Sequence, residues 1–179
     1  MVESQRRYFD LSQTQKIAEA FSKNGVEYLF LGKGGAIILG YPGATQDVDI
    51  FVKKDTENPK RIIDALGVLG FDVTNAIRTD ILSGKDFVQL KDGPFDLDLI
   101  FAPDGIESFE FAKARRHLVE GLPVANIRDI IASKKAAGRE KDLIDLPLLE
   151  DFRVEFEKLL RGEPKSALEI ALERTKKDV

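Results

Sequence analysis

Short apolar runs and helical repeats alternate along the first part of the chain. Apolar residues recur at helical spacing over Leu11–Ser22, and Asn24-Gly25 predicts the end of that helix. The apolar run Val26–Leu31 predicts a first strand, and Val48–Lys53 predicts a second. Between the two strands, a short helix is predicted over Gly35–Leu39.

A β-hairpin is predicted in the middle of the chain. Its strands are Phe87–Leu90 and Phe95–Phe101, because Lys91–Pro94 between them has the composition of a turn. Before the hairpin, a helix is predicted to begin at Asn58-Pro59, and Phe71–Val73 is predicted to form a short strand.

Helical patterns dominate the end of the chain. Strands first and helices last are typical of an α+β (mixed α/β) fold, in which helices flank a mixed β-sheet. We predict a sheet domain over residues 1–125 and a C-terminal helical part over residues 126–179, packed as one compact unit. After the hairpin the predicted elements are a helix over Ser108–Arg116, extended segments at Leu118-Val119 and Pro123-Val124, a helix from Asn126 to Gly138, a helix over Asp142–Leu160 and an amphipathic helix over Pro164–Lys176.

The composition narrows the classes of function. The chain has 179 residues, no cysteine and a net charge of −4, which excludes thiolate metal sites and gives no sign of nucleic-acid binding. Its single histidine, His117, is predicted to be surface or half-buried, and histidine-based catalytic triads are nearly excluded. No apolar run approaches the ~18–20 residues that span a membrane. We therefore predict a cytoplasmic protein without a membrane partner.

Two acidic residues lie two positions apart in the second predicted strand. Alternate residues of a strand point to the same face, so Asp47 and Asp49 share one face while Val48 and Ile50 face the core. Two neighbouring carboxylates repel each other unless a cation lies between them. Hard oxygen ligands of this kind suit Mg²⁺, which also binds phosphates.

The second strand of the hairpin carries a further pair of acids. Phe95, Leu97 and Leu99 alternate with Asp96 and Asp98, so one face is apolar and the other acidic. An acidic face on one strand and a second acidic face on another indicate a site on the open side of the sheet.

These motifs, together with a glycine cluster after the first strand, resemble a known superfamily. Gly32, Gly34 and Gly35 precede a short helix, and Asp47-Val-Asp49 follows on the next strand. The pattern is similar to that of the DNA polymerase β-like nucleotidyltransferases, and most of all to small bacterial AbiEii and minimal-nucleotidyltransferase-like proteins. The later Asp98 strand and a later lysine helix are part of the same resemblance.

The resemblance implies a Mg²⁺-dependent (or Mn²⁺-dependent) transfer of a nucleoside monophosphate from an NTP to a protein, tRNA or small-molecule acceptor. It also implies a toxin–antitoxin or defence setting with a cognate partner protein. The implied catalytic and metal-binding residues are Asp47, Asp49 and Asp98. The implied nucleotide-binding residues are Gly32, Lys33, Gly34, Thr45 and Lys134.

Several alternatives remain open in this comparison. The glycine pair of the superfamily aligns with either Gly32-Lys33 or Gly34-Gly35, and Gly43 stands where the superfamily has an arginine. Thr45 either forms a hydrogen bond near the metal strand or satisfies β propensity, and Asp96 is the alternative to Asp98 as third carboxylate. The alternative function is a catalytically inactive nucleotide-binding or protein-interaction domain with the same fold.

The basic residues of the chain differ in their expected roles. Lys134 is predicted to face the nucleotide phosphates, rather than Lys135, because it shares a helix face with Ile127, Ile130 and Ile131. Arg139 and Asp142 are predicted to pair or to order the loop between helices. Arg6-Arg7 and Arg115-Arg116 are interpreted as solvated surface residues, with a phosphate-rich partner as the alternative.

Overall fold

A mixed β-sheet of six strands forms the centre of the part of the protein that the structure describes. The structure is a computed structural model, and it describes residues 9–163. The strands are β1 (Tyr28–Leu31), β2 (Asp47–Val52), β3 (Phe87–Leu90), β4 (Asp96–Ile100), β5 (His117–Val119) and β6 (Leu122–Val124). The helices are α1 (Leu11–Lys23), α2 (Gly32–Ile38), α3 (Asn58–Leu69), α4 (Asn75–Ser83), α5 (Phe109–Ala114), α6 (Ile127–Ala137) and α7 (Glu140–Leu160).

The strands lie in the order β3-β4-β2-β1-β6-β5. Strand β2 pairs antiparallel with β1 and parallel with β4, which places Asp47 opposite Asp96 and Asp49 opposite Asp98. The two acidic strands are therefore direct neighbours, and their acidic faces form one continuous surface because alternate residues share a face.

All four residues of β1 are buried, including Leu29 and Phe30, which point to opposite faces. Burial on both faces shows that helices cover both sides of the sheet at this strand. Helix α1 packs against α3, whereas α2 contacts β1, β2 and α6, and α6 packs against α7. The second group of helices lies beside the acidic strands and builds the other wall of the site.

Local sequence signals explain where the helices begin and end. Asp10 caps α1 with a capping box, in which its side chain accepts hydrogen bonds from the backbone of Ser12 and Gln13. Asn126 caps α6 in the predicted position, and Gly138 ends that helix in the left-handed conformation. No helix within residues 9–163 is long and apolar enough to cross a membrane.

The mixed α+β fold class and the predicted hairpin are confirmed, but two local predictions were wrong. The short helix α2 begins at Gly32, not Gly35, because Gly32 adopts a positive φ of 62° and turns the chain directly out of β1. Phe71–Val73 is not a strand. Instead, the buried Phe71 ring packs edge-on against Phe95, with ring centroids 5.2 Å apart.

Helix α4 was missed by the sequence interpretation. Its signals were present: Thr74 caps it through its hydroxyl, and Gly84 ends it in the left-handed conformation. Only Ile81 of this helix is buried, so its apolar pattern is weak. The amphipathic helix predicted over Pro164–Lys176, and the pair Arg6-Arg7, lie outside the described residues.

Candidate active site

Four carboxylates lie side by side on the paired strands β2 and β4. Asp47 and Asp49 come from β2, and Asp96 and Asp98 lie directly opposite them on β4. We call these four residues the acid square. Like charges on adjacent strands destabilise a sheet unless they are compensated, so this arrangement is unusual for a purely structural face.

The pKa of Asp49 is strongly shifted from its ordinary value. Burial raises the pKa of its carboxyl group, and the charges of Asp98 and Asp47 raise it further, to about 7. The more distant charges of Lys134 and Lys141 oppose this shift only partly. A cation placed beside Asp49 would remove the cost of ionising it.

Asp98 is the most deeply buried member of the acid square, with 4% of its surface exposed. Its Oδ1 atom is buried and has no hydrogen-bond partner among the residues described. Burial raises the pKa of Asp98, and this effect exceeds the opposing influence of Lys91 and Gln89. The nearest charged partner of Asp98 Oδ1 is the ammonium group of Lys91 at 3.6 Å, beyond hydrogen-bond distance, so a cation could still compensate this buried oxygen more fully.

Lys91 lies beside three members of the acid square. Its Nζ is 3.7 Å from Asp47 Oδ2, 3.7 Å from Asp96 Oδ2 and 3.6 Å from Asp98 Oδ1. The sequence interpretation treated Lys91 only as part of the hairpin turn. The antiparallel register of β3 and β4, in which Leu90 lies opposite Leu97, brings Lys91 beside Asp96.

Basic side chains form the wall opposite the acid square, and they come from α2, from α6 and from the N-terminal end of α7 with its capping residue. They line the same cavity of about 360 Å³ as three of the acids, a volume within the usual range for small-molecule sites. The basic lining residues are Lys33, Lys134, Arg139 and Lys141, and the acidic residues on the sheet side are Asp47, Asp49 and Asp98.

Acids of α7 hold two of these basic residues. Lys134 Nζ lies 3.1 Å from Asp142 Oδ1 and 3.6 Å from Asp145 Oδ2, and Lys33 Nζ lies 3.1 Å from Asp145 Oδ1. Asp142 is fully buried and also pairs with Arg139, which confirms the predicted Arg139–Asp142 contact. Lys141, by contrast, forms no ion pair within residues 9–163.

The glycine-rich segment is explained largely by packing. An added Cβ at Gly35 would lie 3.1 Å from the Phe30 carbonyl oxygen and 3.3 Å from Ile130 Cδ1, so this glycine lets α2 approach β1 and α6. Gly34 is buried inside α2 near Phe9 and is not among the residues that line the cavity. Gly32 does line the cavity.

The loop that precedes β2 carries Gly43 and Thr45. Thr45 lines the cavity from the loop before β2, so the interpretation that it satisfies β propensity is wrong. A Cβ at Gly43 would lie 2.7 Å from the Tyr41 ring and 3.4 Å from Lys33 Cε. Because the Tyr41 ring occupies this space, a side chain at position 43 would require that ring to move.

Two other singled-out residues have structural partners away from the cavity. Arg115 forms ion pairs with Asp129 and Glu107, so it is not a free surface residue. His117 is half-buried, as predicted, and its ring packs edge-on against Phe156 with centroids 5.2 Å apart.

Comparisons with known proteins show similarity in structure but not in sequence. No family model matches the chain, and no curated protein matches it. One similar structure is that of a proposed nucleotidyltransferase (TM1012) from Thermotoga maritima, with 19% identity and a TM-score of 0.46 over 85% of this chain and 90% of that chain. Another is JHP933 from Helicobacter pylori, with 17% identity and a TM-score of 0.46 over 87% of this chain and 70% of that chain. Similarity at this level assigns neither a family nor an activity, so function has to be inferred from the site.

Proposed function

We propose that the protein is a nucleotidyltransferase that moves a nucleoside monophosphate from an NTP to an acceptor. The observation that carries this proposal is the opposition, across one cavity, of the acid square and a wall of lysine and arginine side chains. Basic groups suit the phosphates, and carboxylates suit a divalent cation that bridges to those phosphates. Few other small-molecule ligands would need both a set of carboxylates and a set of basic side chains in one cavity.

The acid square fits a hard divalent cation, Mg²⁺ or Mn²⁺. Its donors are all carboxylate oxygens, Asp98 Oδ1 is buried without a hydrogen-bond partner in the described structure, and the pKa of Asp49 is raised to about 7. Within residues 9–163, no three metal-ligating side chains already form a cation site, so Asp47, Asp49 and Asp98 would have to rotate to hold one. A bound cation would supply Lewis-acid stabilisation of charge on the phosphates.

The chain's own residues have distinct roles in the proposed reaction. The acceptor oxygen attacks the α-phosphorus of the NTP, the bond from that phosphorus to the bridging oxygen breaks, and pyrophosphate leaves. Asp98 accepts the proton of the acceptor hydroxyl, since burial raises the pKa of Asp98 towards the range of a useful general base. Lys134, Lys33 and Lys141, the last of which has no ion pair among the described residues, hold the triphosphate.

The ion pairs across the cavity favour one second candidate, a catalytically inactive domain of the same fold. Lys91 neutralises part of the acid square, and Asp145 neutralises Lys33 and Lys134. A domain that had lost its nucleotide would be stabilised by such pairs. In an active enzyme, the phosphates and the cation would exchange with them.

A transfer assay tests the proposed activity. The protein is incubated with Mg²⁺ and each of the four NTPs labelled at the α-phosphate, with total tRNA, with lysate proteins and with small-molecule hydroxyl acceptors in turn. We expect label to be transferred to one acceptor class, and Asp49→Asn to abolish the transfer. A protein acceptor encoded with this chain would support the proposed toxin–antitoxin or defence setting.

The matched control is Asp104→Asn, which removes an exposed acid outside the cavity. This variant should transfer label as the wild type does. Absence of transfer with every NTP and acceptor class would favour the inactive domain.

A further inference from the structure

Lys91 is the one basic side chain placed within the acid square among the described residues. Its ammonium group lies at nearly equal distances, 3.6–3.7 Å, from carboxylate oxygens of Asp47, Asp96 and Asp98. No ion pair joins Lys91 to Asp49, the fourth corner. Three corners of the square thus share one built-in cation, and only the Asp49 corner has none.

The hairpin turn holds Lys91 in this place. Gly93, two residues further on, lies so close to the Phe71 ring that an added Cβ would come within 3.1 Å of Phe71 Cζ. Phe71 in turn packs edge-on against Phe95 at the other end of the turn. The backbone of the turn is therefore packed against the buried Phe71 and the half-buried Phe95, while the Lys91 side chain stays partly exposed and is held by its three ion pairs.

Charge balance limits what else the site can take. With its carboxylates ionised and the Lys91 ammonium included, the acid square keeps a negative charge with one divalent cation and becomes positive with two. A second divalent cation on the Lys91 side of Asp47 and Asp98 would lie close to the ammonium group, and like charges at such short range repel strongly.

We propose that Lys91 takes the place of a second metal ion, so that the protein binds a single divalent cation, at the Asp49 corner of the acid square. The inference rests on the proposed function, because it assumes that the acid square holds a divalent cation. Lys91 then acts as a positioning residue: it holds Asp47 Oδ2 and Asp98 Oδ1, and the other oxygens of these two carboxylates join Asp49 in binding the cation.

The test counts bound Mn²⁺ per chain, without nucleotide, from the loss of the free Mn²⁺ signal in electron paramagnetic resonance. We expect one bound Mn²⁺ in the wild type and two in Lys91→Met, which keeps the length of the side chain but removes its charge. Lys91→Arg keeps the charge and should bind one. Lys85→Met, which removes an exposed lysine paired with Asp80 elsewhere, should also bind one.

The outcomes separate this inference from the proposed function. Two Mn²⁺ ions in the wild type would overturn the inference while leaving the metal site in place, since Lys91 would then be displaced. The same stoichiometry of one in the wild type and in Lys91→Met would also overturn it. Absence of Mn²⁺ binding in every variant would overturn the metal site itself, and the inference with it. Lys91→Gln, which also removes the charge, provides the same comparison if Lys91→Met fails to fold.

Discussion

Gly32 and Asp49 lie so close together that residue 32 has no room for a side chain. They meet because β1 pairs with β2 in a register that places Leu31 opposite Asp49. A Cβ added to Gly32 would lie 2.8 Å from Asp49 Cγ. The glycine after β1 is therefore explained first by the position of an acidic side chain, before any contact with a ligand is considered.

Gly32→Ala is expected to destabilise the protein by about 2–3 kcal/mol. Roughly 1 kcal/mol comes from the positive φ of 62°, and the remainder comes from overlap with the Asp49 carboxyl group. Urea denaturation measures the change in the free energy of unfolding. The variant should also lose nucleotide transfer, because Asp49 has to move.

Gly121→Ala is the matched control for this substitution. Gly121 has a positive φ of 82°, but an added Cβ would meet nothing within 4 Å. It should therefore show only the backbone cost of about 1 kcal/mol. Equal destabilisation by the two substitutions would show that the overlap with Asp49 is relieved without cost.

The raised pKa of Asp49 predicts how stability depends on pH in the metal-free protein. Its pKa is about 7 in the folded state and near the ordinary 3.8 when unfolded, so the folded state binds the proton more tightly. Stability from this group is therefore lost as the pH rises from about 4 to about 7. At pH 8 Asp49→Asn should be more stable than the wild type by at most roughly 4 kcal/mol.

The measurement is urea denaturation at several pH values in the presence of a chelator. The difference between Asp49→Asn and the wild type should be small near pH 4 and should grow until about pH 7. Asp104→Asn, which changes an exposed acid, should show no such growth. A difference that does not vary with pH would contradict the predicted proton linkage.

Asp142→Asn should destabilise the protein by about 3 kcal/mol at neutral pH. Asp142 is fully buried, and the substitution leaves Lys134 without its closest carboxylate partner. Burial alone would raise the pKa of Asp142, but hydrogen bonds from Arg139 and Lys134 outweigh it and lower the pKa below 3.8. The contribution of ionised Asp142 to the free energy of unfolding is therefore present above about pH 4 and is lost as the pH falls below that value. Equal stability of the two proteins at pH 7 would contradict this account.

Asp145→Asn should strengthen NTP binding several-fold. Asp145 pairs with both Lys33 and Lys134. The phosphates have to displace its carboxylate to bind these two lysines, and removing the charge of Asp145 removes that competition. Calorimetric titration with Mg²⁺ and the preferred NTP measures the change. Asp151→Asn, an exposed acid on the same helix, should bind as the wild type does. Weaker binding by Asp145→Asn would show that Asp145 itself holds the nucleotide or the cation.

The sequence was sufficient for those parts of the molecule that depend on local pattern. Alternation along β2 and β4 predicted the shared acidic face, and the turn composition predicted the hairpin. Helix α4 was not predicted because only Ile81 is buried, which makes its amphipathic pattern weak. Phe71 was assigned to a strand because its apolar neighbours suit one, whereas its partner Phe95 becomes visible only in three dimensions.

Sequence patterns could not predict the contacts between site residues that lie far apart along the chain. Lys33 and Asp145 are 112 residues apart, and no local rule relates them. Lys91 lies in a turn, where a lysine usually indicates only solvation. Its contact with Asp47 depends on the parallel pairing of β2 and β4, which the sequence does not specify.

The most direct test of the central claim is the effect of Mg²⁺ and NTP on the melting temperature, since it needs no knowledge of the acceptor. At 100 times the dissociation constant, a ligand that binds only the folded state stabilises it by about 2.7 kcal/mol. For a chain of this size, that corresponds to roughly 5–10 °C. We predict a rise of this order with at least one NTP in the wild type, only when Mg²⁺ is present, and none in Asp49→Asn. No rise with any of the four NTPs at millimolar concentration would contradict the claim that this cavity is a nucleotide site.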